Sequence, residues 1–141
     1  MNAICLFVAA ALRASLPASE FTLAFDHSVE KTRWEERYRV DGENLLLIEA
    51  RIQGSGAGMD PPPNAHLRHG WWTWRPSVGP LPELRLTLSP FARDYDLCWR
   101  VRCQTLGSLV VPNRLRDAAH SRTAPDEIAV VAIRPCTGKD R

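Results

Sequence analysis

Apolar and polar residues alternate in short runs along most of this chain, from Phe21 onward. Period-two alternation sends one side chain to the core and the next to water, the pattern of a half-buried β-strand. Three such runs come first: Phe21 to Val29, Thr32 to Val40, and NLLLIEARIQ from Asn44 to Gln53. The loop GSGAGMDPPPNAHLRHG follows, and its glycines and three consecutive prolines argue against regular structure. Further strands are predicted in WWTWR, ELRLTLS, DYDLCWRVRC, GSLVV and EIAVVAIRP, with NRLRDAAHSR as the one helical stretch. There is no strand–helix–strand alternation, no internal repeat and no domain boundary. The pattern predicts an all-β fold over residues 20–141: a single small antiparallel β-sandwich or barrel with at most one short helix.

Residues 1–19 differ in texture. The apolar run AICLFVAAAL, Ala3 to Leu12, is too short to span a bilayer as a helix but suits the apolar region of an export signal. No Lys or Arg precedes it, and cleavage after Ala18 would place Leu16 where a small residue is preferred. The expectation is a degenerate signal or membrane anchor, with a buried first strand as the alternative. Cys5 falls in this leader. The remaining three cysteines, Cys98, Cys103 and Cys136, allow one disulfide and one leftover thiol.

Composition narrows the function only by exclusion. The 141 residues are 45% hydrophobic and 24% charged, with a net charge of +2. That is a soluble globular composition, without the clustered positive charge that nucleic acid requires. No cofactor motif is present.

The first hairpin carries the one irregularity. Phe21, Leu23, Phe25, His27 and Val29 share a strand face that is apolar apart from His27. Trp34, Glu36, Tyr38 and Val40 share a face broken by Glu36, while Arg33, Glu35, Arg37 and Arg39 face solvent. A two-residue turn at Glu30 and Lys31 would pair Phe25 with Glu36 and His27 with Trp34. His27 and Glu36 would then be diagonal neighbours, with β-carbons within roughly 7 Å. A buried carboxylate needs a partner. The pair reads either as an internal hydrogen bond or as part of a site.

HSVEKTRWEERYRV, GSGAGMDPPP, a tryptophan-rich segment and LCWRVRCQTL, in that order, resemble an uncharacterised bacterial family catalogued as domain of unknown function 1850. The resemblance covers about Phe21 to Leu106. It implies a small extracytoplasmic protein whose genes neighbour tripartite ATP-independent periplasmic (TRAP) transporters of the TAXI type. It brings no activity. The matching motif residues are His27, Ser28, Glu30, Glu36, Ser55, Gly56, Ala57 and Gly58, without established roles. One departure matters: the stretch between Cys98 and Cys103, usually a glycine-containing turn, is WRVR here. As one straight strand it would hold the two cysteines roughly 16 Å apart, too far for a disulfide. Either the chain turns there and they bond, or they do not bond; for an exported protein the turn and a Cys98–Cys103 disulfide are expected.

Other features are weaker. The GSGAG loop offers backbone N–H groups for an anion but is not a phosphate-loop or nucleophile-elbow motif. His66 and His69, near Asp60, have metal-ligand types in a loop where solvated histidines are common. Ser28, His27 and Glu36 include triad residue types, although Ser28 and His27 face opposite sides of a strand, so Ser55 would have to serve as nucleophile. Trp72 and Trp74 share a face, with Trp71 opposite, as core packing or as a stacking surface. The reading expected is therefore an extracytoplasmic, periplasmic or membrane-anchored β domain. It would be a non-enzymatic accessory of a TRAP-type transporter, binding a transporter component or its solute around His27, Ser28, Glu36 and Ser55–Gly58, without metal. The alternatives are a small hydrolase or metal-dependent enzyme using His27, Glu36 and Ser55, and a purely structural interaction domain.

Overall fold

The structure, a computed structural model, describes residues 2–26, 32–54, 61–111 and 128–140. Eleven strands and one short helix are present among them: β1 (Ile4–Val8), β2 (Ala11–Leu16), β3 (Glu20–Asp26), β4 (Arg33–Asp41), β5 (Asn44–Gln53), β6 (His66–Arg68), β7 (Trp71–Trp74), β8 (Leu84–Leu88), β9 (Asp96–Trp99), β10 (Arg102–Thr105), α1 (Leu106–Val110) and β11 (Ala129–Pro135). They form a four-stranded sheet, order β2-β1-β11-β8, and a seven-stranded sheet, order β10-β9-β3-β4-β5-β7-β6. Every strand pair is antiparallel, and neither sheet closes on itself. The fold is a small all-β sandwich.

The core is the seam between the sheets. Ile4, Leu6, Val131 and Ile133 of the small sheet are fully buried, and they cluster with Phe21, Leu23, Tyr38, Leu45 and Leu97 of the large one. Period two selects these residues: Phe21 and Leu23 point inward while Glu20 and Thr22 do not. In β5 the apolar run hides a change of parity. Arg37 lies opposite Glu49 but Tyr38 lies opposite Leu47, so Ile48 is an extra residue in a β-bulge. Leu45 is buried before it, and Ala50 and Ile52 after it.

Residues 4–16, expected as part of a leader, are strands β1 and β2 here. β1 is central in its sheet, with β11 on one side and β2 on the other. Cys5, assigned to that leader, bonds Cys136, closing the two ends of the domain with a Cα–Cα distance of 5.0 Å. Among the described residues no helix is long and apolar enough to cross a membrane.

Turn chemistry accounts for three differences from the sequence reading. DYDLCWRVRC is a hairpin, β9–β10, reversing at Arg100 and Val101. Arg100 takes φ +54°, the positive value that a glycine adopts most cheaply. Cys98 and Cys103 thus face each other and bond, at a Cα–Cα distance of 4.0 Å. In the proline-rich loop, HLR forms β6. It pairs with β7 through His69 and Gly70, both with positive φ, a turn that suits the twist of a tight hairpin. GSLVV is helical rather than a strand: the Thr105 side chain caps α1 by accepting from the Ser108 N–H at 3.3 Å, and Leu106 and Val110 enter the core. The NRLRDAAHSR helix expectation lies outside the described residues.

Two outcomes test this packing. Leu6→Ala should cost about 2–5 kcal/mol in urea unfolding, whereas Leu12→Ala, 44% exposed on β2, should stay within about 0.5 kcal/mol. Arg100→Gly relieves the positive φ and should raise stability by about 0.5–1 kcal/mol, read as a higher urea midpoint at unchanged slope.

Candidate functional site

Glu36 sits on the inner face of the large sheet, in register with the core residue Leu23 on one side and Ala50 on the other. β3 and β4 pair with Phe25 opposite Trp34 and Leu23 opposite Glu36. The tight turn expected from the sequence would have set Phe25 against Glu36. The observed register is shifted by two residues, and a shift of two leaves each residue on its face. The diagonal His27–Glu36 placement belonged to the expected register and not to this one. His27, Ser28, Glu30, Ser55, Gly56, Ala57, Gly58 and Asp60 lie outside the described residues.

Two rows cross the sheet at this end. Leu23, Glu36, Ala50 and Trp74 form one; Phe25, Trp34, Ile52, Trp72 and Leu67 form the next. The rings make a connected set. Tyr95 stands edge-on to Phe25 at 5.7 Å, Phe25 lies parallel to Trp34 at 6.1 Å, and Trp34 meets Trp74 edge-on at 5.8 Å. Trp72 and Trp74 share this face, and Trp71 is on the other, where Arg51 lies over its ring at 4.1 Å. The indole N–H groups of Trp34 and Trp72 are buried and unpartnered.

The carboxyl of Glu36 is held in this aromatic surround. Burial pushes its pKa above the usual carboxylate range, and a hydrogen bond with the Tyr38 side chain only partly offsets that. Tyr38 is raised by the same burial and by the Glu36 charge, and Tyr95 also by both. No ion pair reaches Glu36 among the described residues. The neighbouring arginines point to the opposite face and are engaged there: Arg33 with Asp96 at 3.0 Å, Arg51 with Glu35 at 2.6 Å and Arg37 with Glu49 at 3.4 Å. Strand alternation enforces this separation, because Arg33, Glu35 and Arg37 have odd parity with respect to Glu36.

Other sequence candidates lie elsewhere. His66 is opposite Thr73, on the outer face, so it does not join Glu36. Among the described residues no group of three or more His, Cys, Asp and Glu side chains is placed to hold a metal. Cys98 and Cys103 are bonded to each other at the far side of β3. Sequence reasoning placed Trp34 and Tyr38 on the Glu36 face but missed Tyr95, which comes from the loop before β9, and Trp74, which arrives across β5. The small side chain of Ala50, between Glu36 and Trp74, is the one local signal of that approach.

The raised carboxyl sets a pH dependence. The native state holds the Glu36 proton more tightly than the unfolded chain, so stability falls as pH rises from about the ordinary value of 4.5 through the raised one. Glu36→Gln should remove that decline and be at least as stable as the native protein at neutral pH, which urea titrations from acid to neutral pH would record.

No curated protein and no solved structure matches the chain. The family described as a domain of unknown function, DUF1850, matches residues 21–106, from the start of β3 to the first residue of α1, and so contains Glu36, its aromatic surround and the Cys98–Cys103 hairpin. The chain is a member of that family, DUF1850.

Proposed function

We propose that this protein is a non-enzymatic extracytoplasmic domain that serves a TRAP-type solute transporter as an accessory, binding a transporter component or its solute. Cysteine usage carries the extracytoplasmic part of the reading. All four cysteines stand in two disulfides, and such bonds persist in oxidising compartments rather than in the cytoplasm. The transporter part rests on the gene neighbourhoods that the family resemblance implies. The binding part is supported by the half-open aromatic face around Glu36, an ionisable group kept in an unfavourable setting with no ion pair among the described residues.

A hydrolase or metal-dependent enzyme would need His27 and Ser55 beside Glu36. The described neighbours of Glu36 are rings, aliphatic groups and a phenol, which supply neither a nucleophile nor a metal ligand.

The test is made in cells. A tagged protein should be recovered outside the cytoplasm with thiols that react with an alkylating reagent only after reduction, and a TRAP-type membrane component should co-purify with it from detergent extracts. Free thiols in a cytoplasmic fraction would sink the extracytoplasmic reading, and absence of the transporter component from the eluate would sink the accessory role.

A further inference from the structure

The face around Glu36 has the makeup of a site for one ligand chemistry, and the inference rests on the binding reading above. Aromatic ring faces carry negative potential and attract cations. Four rings, Phe25, Trp34, Trp74 and Tyr95, are gathered at this end of the inner face. Glu36 adds a carboxyl on the same face, and no basic side chain shares it among the described residues: Arg33, Arg37 and Arg51 are all turned outward and paired with acids. Such a surface disfavours an anion and offers a neutral solute little beyond apolar contact.

The cluster is also reachable. Phe25, Trp34, Glu36, Trp74 and Tyr95 are each partly exposed, whereas the core residues one step further along the same strands, Leu23, Tyr38 and Leu97, are buried. Ala50, lying in register between Glu36 and Trp74, contributes only a methyl group and leaves the acid and the indole without a bulky side chain between them.

We propose that this face binds an organic ammonium cation. Glu36 supplies the counter-charge, and Phe25, Trp34, Trp74 and Tyr95 supply the ring contacts. A methylated or alkylated ammonium fits better than a metal ion: it is weakly hydrated and gains from ring contact, whereas a metal needs several oxygen, nitrogen or sulfur ligands that this face does not provide.

The probe is choline, titrated into the intact protein and followed by tryptophan fluorescence and calorimetry, against its uncharged carbon isostere dimethylbutanol. Saturable choline binding is expected, with the isostere weaker by about tenfold or more, the ratio a single well-placed ion pair gives. Glu36→Gln should abolish the preference for choline over the isostere, and Trp34→Leu should weaken choline binding while leaving Glu36 in place. Glu36→Asp keeps the charge and, in a protein shown to be folded by circular dichroism, should retain part of the preference. Equal binding of choline and dimethylbutanol, or a folded native protein that choline does not saturate, overturns the proposal. Recovery of the transporter component with no choline binding would remove the cation inference alone. Loss of both would remove the accessory reading as well.

Discussion

The fold depends on β1 being the centre of the small sheet. Its five residues take hydrogen bonds from β2 on one side and β11 on the other, and Ile4 and Leu6 are buried against the large sheet. A strand so placed organises a layer: without it, β2 has no partner and the pair β11–β8 is left with an open edge. The Cys5–Cys136 bond ties this strand to the end of β11 across 131 residues of chain, a loop long enough for the cross-link to restrict the unfolded chain strongly. The Cys98–Cys103 bond, spanning only 5 residues, does far less in that respect and serves to hold one hairpin.

The candidate site lies on the inner face of the large sheet, at the end of β3 and β4 nearest their connection. Toward the core the inner face is apolar and buried, with Phe21, Leu23, Val40, Leu45 and Leu97. The same strands continue with Phe25, Trp34, Glu36 and Ile52, and there the described neighbours of Glu36 include the rings of Trp34, Trp74 and Tyr95. A carboxyl tolerated there at a cost in solvation, while Arg33, Arg37 and Arg51 serve the opposite face, is the local inconsistency that sets this region apart from a simple core. The outer face shows the contrast. Its acids and bases pair across the strands, exposed to water, and contribute little each.

Period two made the strands of the large sheet legible: β5 runs over the ten residues that alternation and its flanking turn residues mark, and β3 and β4 depart from the reading mainly at the hairpin end. What failed was local turn chemistry. Arg100 and His69 take positive φ, which side-chain-bearing residues seldom do, so the turn between Cys98 and Cys103 was legible only through the disulfide and the β6–β7 hairpin was read as an irregular loop. The Thr105 cap on α1 was likewise hidden behind β-branched residues that also suit a strand.

By itself the sequence determined the all-β class, the inward and outward faces of β3 and β4, and the anomaly of Glu36 on an apolar face. These follow from side-chain alternation, a local property of extended backbone. The tertiary structure alone decided the register of β3 on β4, the partner of Cys5, the incorporation of residues 4–16 as strands and the gathering of Tyr95 and Trp74 around Glu36. Each of these joins positions distant in sequence. Alternation is unchanged by a two-residue slip and carries no information about which strand lies beside which, so only the packing of the whole chain selects among the pairings.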